Sequence, residues 1–352
     1  MRGVTIVGTG RYAPGDPVSN EALARVMDTS NEWIRQRTGI HQRHYAPEGV
    51  GPAELGQHAA ERALEAAGLG PEDVDYILFA TMTPDYPFPG SGGLLGARLG
   101  IPGVPALDIR QQCCAMPFGL QVANGLVASG AAETVLLVGA EAHAGFMPWE
   151  DWDIVFGRSD GSPSPVAFER ATRHRGLAVL FGDGAGAMVL RRTEREGHGF
   201  LGAELHTDGN QFNGIYVEGG SFQRRPYWTK DMLEQDLHVP QMQGRDLFKK
   251  AATLLPQAVR VLCERHGHQV ADVDCFVAHQ ANDRINAAVQ QALGVEPEKI
   301  PSNIARYGNT SAGTIPILTD ELMRDGRLRE GDLVCFLALG AGLHWGAALM
   351  RL

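Results

Sequence analysis

Apolar residues recur along this chain in two patterns. Spacings of three and four residues, as across residues 60–67, predict amphipathic helices. Short unbroken apolar runs at residues 77–80, 135–138, 276–278 and 333–339 predict strands. These runs lack polar alternation, so they predict strands buried on both faces, in sheets covered by helices.

The helix-then-strand unit occurs twice. Residues 60–79 read AERALEAAGLGPEDVDYILF and residues 259–278 read VRVLCERHGHQVADVDCFVA. Each passes from a helical pattern through a glycine turn (Gly68, Gly267) and an acidic-Val-Asp step into an apolar strand. Asp73 and Asp272 set the offset at 199 residues. The same offset places residues 132–137 on 331–336 and residues 4–10 on 203–209. Beyond about residue 140 the offset becomes 160, which lays Gly182–Ala187 on Gly342–Ala347. The duplication predicts two related α/β halves, about 1–195 and 196–352, with an insertion at about 141–180 in the first. The insertion carries Phe146, Trp149 and Trp152, then a Ser/Pro/Gly run, which fits a cap, a lid, a subunit contact or a plain surface loop. A second irregular region, 207–243, contains Phe222 and Trp228 and is a candidate border of a substrate channel.

Composition narrows the class. The chain has 352 residues, 44% hydrophobic and 20% charged, enough for a sizeable core. Its 44 glycines predict many tight turns or close backbone contacts. A net charge of −10 argues against a nucleic-acid surface, which would be basic. No apolar run approaches the ~18 residues of a membrane span. The opening MRGVTIVGTG reads as strand and turn rather than signal peptide. Five cysteines in so long a chain do not make a disulfide framework, so a reducing cytoplasm is expected.

Three loops carry candidate chemistry. Cys113 and Cys114 sit where the strand ending near Ile109 turns into a helix over residues 115–129. A helix N-terminus stabilises thiolate, and its free N–H groups can form an oxyanion hole. On position alone, a nucleophile and a pair of buried structural cysteines remain equally open. His279 ends an apolar strand before a helix that begins near Asp283, a position facing a loop-built cleft. A lone histidine there is also compatible with a structural role. Asn309 lies in Arg306-Tyr-Gly-Asn-Thr-Ser-Ala-Gly313, and the 199-residue offset lays Cys113 on Ala312. The Cys turn and the Asn309 loop are therefore counterparts, expected to face each other across a pseudo-twofold axis. A plain cap or turn is the alternative for Asn309. Cys, His and Asn together suit thioester chemistry, with one nucleophile and two hydrogen-bond donors.

With these motifs the chain resembles the β-ketoacyl-acyl-carrier-protein synthase III family of the thiolase superfamily, nearly end to end. His279-Gln-Ala-Asn282 is similar to that family's catalytic His motif, and Gly308-Asn309-Thr-Ser-Ala312 to its catalytic Asn motif. Cys113, five residues after Asp108, matches the nucleophile and makes Cys114 the bystander. Residues 181–187 and 340–346 resemble its two glycine-rich strands. The resemblance implies a five-layered αβαβα fold of two duplicated halves and a homodimer. It implies that Cys113 takes an acyl group from coenzyme A. A malonyl thioester, carried on acyl carrier protein or on coenzyme A, then decarboxylates beside His279 and Asn309 and attacks the acyl-Cys. The N–H groups of Cys113 and Gly342 would form the oxyanion hole. No metal or redox cofactor is implied; the coenzyme A thioester is a substrate. Trp33, Arg37 and Arg175, the last read as preceding a strand at 177–181, resemble adenine and phosphate contacts of coenzyme A. Asn282 resembles a pantetheine-tunnel residue, and Phe88 the residue that reaches across the dimer to close the acyl pocket.

The chain departs from the family at identifiable positions. Gln111 and Gln112 precede the nucleophile where small residues are usual, and Cys114-Ala-Met-Pro117 follows where Ala-Gly-Phe is frequent. His344 stands where Thr is common. Gln291 and Ala292 replace a lysine pair used for carrier docking, leaving Lys249, Lys250 and Arg284 as docking charges. These differences point to a specialised member, for secondary metabolism or an unusual starter acid.

Other readings divide on defined features. An acyltransferase of the same fold would move the acyl group from Cys113 to a hydroxyl or amine without releasing CO₂. A Cys–His hydrolase shares the residue order but not the duplication. A nicotinamide dehydrogenase would need GxGxxG, which Gly182-Asp-Gly-Ala-Gly186 is not. A non-catalytic partner subunit would have lost the Cys, His or Asn.

Overall fold

The computed structural model describes residues 3–352. Strands β1 (Val4–Tyr12), β2 (Tyr76–Ala80), β3 (Ala106–Ile109), β4 (Thr134–Glu141) and β5 (Gly184–Arg192) form one sheet in the order β1-β5-β4-β2-β3. Strands β6 (Gly199–Thr207), β7 (Cys275–Ala278), β8 (Leu333–Gly340) and β9 (His344–Arg351) form a second in the order β7-β8-β9-β6. Parallel pairing joins β2 to β3 and β4, and β7 to β8; the other neighbours are antiparallel. Every residue of β4 is buried, which its unbroken apolar run requires.

Helices α1 (Asn31–Thr38), α2 (Pro52–Ala67), α3 (Ala115–Ala128), α4 (Pro165–Ala178), α5 (Gly244–Arg265), α6 (Asp283–Leu293) and α7 (Thr314–Arg324) pack on these sheets. Local chemistry sets their ends. Pro52 opens α2 and Gly68, in a left-handed conformation, closes it. Asn282 caps α6 through Arg284 N–H.

Apolar contacts define five layers. Leu120, Ala123 and Val127 of α3 and Ile315, Leu318 and Leu322 of α7 lie between the sheets, against Leu137 and Leu190 on one side and Val277 and Phe336 on the other. Leu55, Ala59 and Ala63 of α2 cover the outer face of the first sheet. Leu255, Val259 and Leu262 of α5, with Val289 and Leu293 of α6, cover the second. Each fully buried Leu, Val or Phe here contributes about 1.5–3 kcal/mol relative to exposure. The order is αβαβα, as the resemblance implies. Among the described residues, no helix is long and apolar enough to cross a membrane.

The internal offset is visible in the pairing. Tyr76 faces Val135 and Cys275 faces Val334, both shifted by 199 residues. Thr134 faces Arg191 and Leu333 faces Arg351, so the antiparallel partner is shifted by 160. Two expectations fail, the offset of the first strand and the strand at 177–181. Ile6 faces Leu190 while Met350 faces Phe200, so the first strand's counterpart is 194 residues away, not 199. Small apolar residues in both strands concealed that five-residue slip. The counterpart of β3 is a helical turn, Ile304–Tyr307, not a strand. Residues 177–181, read as a strand, are the end of α4 and a link to β5. The insertion's aromatic part is packed as core, while residues 158–164 are largely exposed and form no helix or strand. Trp149 is 3% exposed and sits 5.9 Å from Tyr45 and 5.6 Å from Trp152, ring to ring, within a core shared with Ile34 and Leu177. Several large aromatic rings so close in sequence need a hydrophobic cover, and α1 and α4 supply it.

Glycines let α7 approach the first sheet. A Cβ on Gly186 of β5 would stand 2.6 Å from Ile317 N, and one on Gly139 of β4 2.2 Å from the Ala312 carbonyl oxygen. The substitution Gly186→Ala is expected to lower unfolding free energy by about 1–3 kcal/mol, as overpacking does. Gly125→Ala, at an exposed α3 site with nothing within 4 Å, is expected to leave it equal or raise it. Urea titration of both variants checks the opposite signs.

Candidate active site

Between β3 and α3 the chain makes one 3₁₀ turn, Gln112–Cys114, entered through Gln112 at φ 51°. Such a left-handed angle is uncommon for a side chain of this size, so its neighbours hold it there. Gly340 at the end of β8 passes against the turn. Its missing Cβ would lie 2.8 Å from Cys114 N and 3.0 Å from Cys113 N. The equivalent turn in the second half, Ser311–Gly313, is entered through Ser311 at φ 45°. The two turns touch, with Cys113 Sγ 3.3 Å from Ser311 Oγ.

Backbone bonds fix the other two predicted groups. Asn309 N–H donates to Leu180 O (2.8 Å), and Asn309 O accepts from Gly182 N–H (3.1 Å). Its Oδ1 accepts from Ser311 N–H (2.8 Å), which leaves its Nδ2 as the available donor. His279 follows β7, donates its N–H to Leu337 O (2.9 Å), and places Nδ1 2.7 Å from Thr314 Oγ1. Beneath the turns lies Glu141, fully buried at the end of β4. Its carboxylate accepts from the hydroxyls of Thr81 and Thr83, the N–H groups of Met82 and Thr83, and Ala312 N–H (3.3 Å).

Burial dominates the electrostatics. It pushes the Cys113 thiol up to about 12, with Glu141 adding to the rise and the Ser311 hydrogen bond opposing it. Burial thus opposes the expected pull of the helix N-terminus on this sulfur. Cys114 is fully buried, donates to Ala338 O (3.2 Å) and is also pushed up by burial. Burial lowers His279 to about 3, which keeps the imidazole neutral.

Cys113, His279, Asn309 and Gly342 all line one cavity of about 1200 Å³. Trp33 and Arg37 line it too, with the Arg37 guanidinium 4.4 Å from the Trp33 ring centre. Arg175, on α4, sits 5.1 Å from the same ring and pairs with Asp28 at 2.9 Å. Asn282 and Arg284 line the cavity as well. The Asn282 amide donates one N–H to Arg37 O (2.9 Å), and its oxygen caps α6. Phe88 is 77% exposed and lies outside the cavity lining. Lys249 is exposed on α5, also outside it, while Lys250 pairs with Asp246. The 207–243 region supplies one wall through Tyr216, Tyr227 and Trp228.

Sequence reasoning missed Ser311, Thr314 and Glu141. Ser311 had a signal, because the offset of 199 lays it on Gln112 beside the nucleophile. Thr314 and Glu141 had none, since both act through contacts far apart in the chain. A thiol, a neutral imidazole and a carboxamide donor around one cavity are the components of thiol-based acyl transfer.

Comparison with known proteins agrees with this chemistry. The family model "3-Oxoacyl-[acyl-carrier-protein (ACP)] synthase III" matches residues 107–167 and 166–209, and its C-terminal model matches residues 263–352. The chain is 38% identical over 351 residues to a β-ketoacyl-[acyl-carrier-protein] synthase III of Rhizorhabdus wittichii, covering 100% of both chains. It superimposes with a TM-score of 0.85 on the 3-oxoacyl-[acyl-carrier-protein] synthase III of Aquifex aeolicus, at 34% identity over 99% of this chain and 100% of that one. A priming β-ketosynthase from the R1128 polyketide pathway gives a TM-score of 0.83 at 28% identity, over 99% of this chain and 96% of that one.

Alkylation tests the electrostatics. The rate of iodoacetamide modification at Cys113 is expected to rise about tenfold per pH unit from 7 to 10, following the thiolate fraction, with no plateau. Cys114 is expected to stay unmodified, as read by peptide mapping. An inflection near pH 8 would contradict the dominance of burial.

Proposed function

The chain belongs to the 3-oxoacyl-[acyl-carrier-protein] synthase III family, and we propose that it performs decarboxylative Claisen condensation in fatty-acid or polyketide biosynthesis. The starter is an acyl-CoA loaded on Cys113, and the extender is a malonyl thioester on acyl carrier protein. The carrying observation is that the Cys113 turn, His279 and the oriented amide of Asn309 share one cavity.

In the first step the Cys113 sulfur attacks the acyl-CoA carbonyl. The N–H groups of Cys113 and Gly342 take the developing oxyanion, and Gly340, lacking a Cβ, supports this by leaving the turn's N–H face uncrowded. In the second step Asn309 Nδ2 and His279 hold the malonyl thioester oxygen as CO₂ leaves. The resulting enolate carbon attacks the acyl-Cys, releases the β-ketoacyl thioester and restores the cysteine.

Other roles follow from position. Trp33, flanked by Arg37 and Arg175, suits stacking on adenine and pairing with phosphate. Arg284 at the cavity and Lys249 on exposed α5 suit docking of an acidic carrier. We read the chain as a homodimer. Leu107 on edge strand β3 is 43% exposed and Phe88 77%, and a second copy would cover both. Phe88 closes a 82–88 segment whose earlier residues Met82, Thr83, Pro84 and Pro87 line the cavity, which suits a residue completing the partner's pocket. The functional halves divide at about residue 195, the nucleophile in the first, His279 and Asn309 in the second.

Intact mass after exposure to acyl-CoAs of graded length is expected to show one acyl adduct, absent in Cys113→Ala. Asn309→Ala is expected to cut condensation about 10²–10³-fold, the cost of one lost oxyanion donor, while loading stays within about threefold. CO₂ release equal to product formed supports condensation; acyl transfer without CO₂ would instead mark the acyltransferase alternative.

A further inference from the structure

Two short contacts meet at the hydroxyl of Thr314, which has a single proton. Its Oγ1 lies 2.7 Å from His279 Nδ1 and 3.0 Å from Ser311 O, to which it donates. Thr314 is 2% exposed and His279 6%, so water does not compete for either contact. A carbonyl oxygen has no proton to give. If the hydroxyl donated to Nδ1, two oxygen lone pairs would face each other at the other contact. Only an imidazole protonated at Nδ1 puts one proton in each contact. Nε2 then carries the lone pair and is left for the cavity that His279 lines.

We propose that Thr314 is a positioning residue that locks His279 as the Nδ1–H tautomer, making Nε2 the atom that carries the Cys113 proton through the cycle. The proposal rests on the acyl-transfer reading above. In loading, the Sγ–H bond breaks and its proton forms the Nε2–H bond, directly or through one water. The sulfur pair attacks the acyl-CoA carbonyl, and coenzyme A leaves as thiolate and is protonated by solvent. In condensation the same Nε2–H donates to the malonyl-derived enolate oxygen. CO₂ departs, the new carbon–carbon bond forms and the Cys113 thiolate is expelled. The Nε2 proton then returns to that thiolate. One solvent proton is consumed per turnover, as decarboxylation of a carboxylate requires. Burial disfavours the imidazolium formed in loading, and the malonyl carboxylate that binds next stabilises it until the proton returns. Ser311 joins the parts: its hydroxyl meets Cys113, its N–H holds Asn309 and its carbonyl anchors Thr314.

The test pairs a spectroscopic and a kinetic readout on the full-length protein. In ¹⁵N-histidine-labelled wild type, with His279→Asn used for assignment, Nδ1 is expected to resonate as protonated and Nε2 as unprotonated. Thr314→Val is expected to lose this preference and to slow single-turnover loading of Cys113 about 10–100-fold, with thermal melting reporting its folding. Thr314→Ser is expected to restore both readouts, loading to within about threefold. A wild-type Nε2–H tautomer overturns the proposal whether or not Thr314→Val folds. So does wild-type loading in Thr314→Val, or a Thr314→Ser variant as slow as Thr314→Val. A wild type that loads no acyl-CoA sinks the acyl-transfer reading instead, and the nitrogen shifts still judge the tautomer.

Discussion

Two residues of β4 seat the backbone of one residue of the opposite half. Glu141 accepts the N–H of Ala312, while Gly139, two positions earlier, leaves room for the Ala312 carbonyl. Ala312 lies between Asn309 and Thr314, so this grip sets where the second half's loop meets the Cys113 turn. The same carboxylate collects Thr81, Met82 and Thr83. Removing it would strand several buried donors, each costing about 1–3 kcal/mol. The site's geometry is thus a by-product of satisfying one buried charge.

Desolvation cuts two ways in this arrangement. It makes the glutamate affordable only with a full set of donors, and it keeps the cysteine protonated and the histidine neutral. Reactivity then depends on a relay between two uncharged groups, which is why the protonated nitrogen of His279 matters more here than its basicity in water.

The duplication made most of the fold legible. Wherever two copies share backbone constraints, the 199-residue offset holds down to detail: Gly70 and Gln269 accept no side-chain help from outside, yet both are capped by an aspartate three residues on. Asp75 accepts from Thr134 N–H at the start of β4, and Asp274 from Leu333 N–H at the start of β8. The offset failed at β1, where the copies are held by different neighbours. Cys113, His279 and Asn309 were readable because each stands at an element boundary. Glu141 and Thr314 were not, because a buried carboxylate and a helix-start threonine look ordinary until residues 171 and 35 positions away are brought to them. The aromatic insertion misled for a related reason. Its composition suits a lid or a core equally, and only the seat beneath α4 decides.

The paired left-handed turns at Gln112 and Ser311 also bear on descent. Two copies of one ancestral turn carry the same backbone strain, yet only one presents a thiol. The other cannot take over the role. Its equivalent position, Ala312, is 1% exposed, held by its N–H to Glu141 and absent from the cavity lining, so a sulfur there would have no substrate to meet. Once the second copy became the clamp, the division of labour between the halves was no longer reversible by any single substitution, and the molecule's symmetry survives as a record rather than a working option.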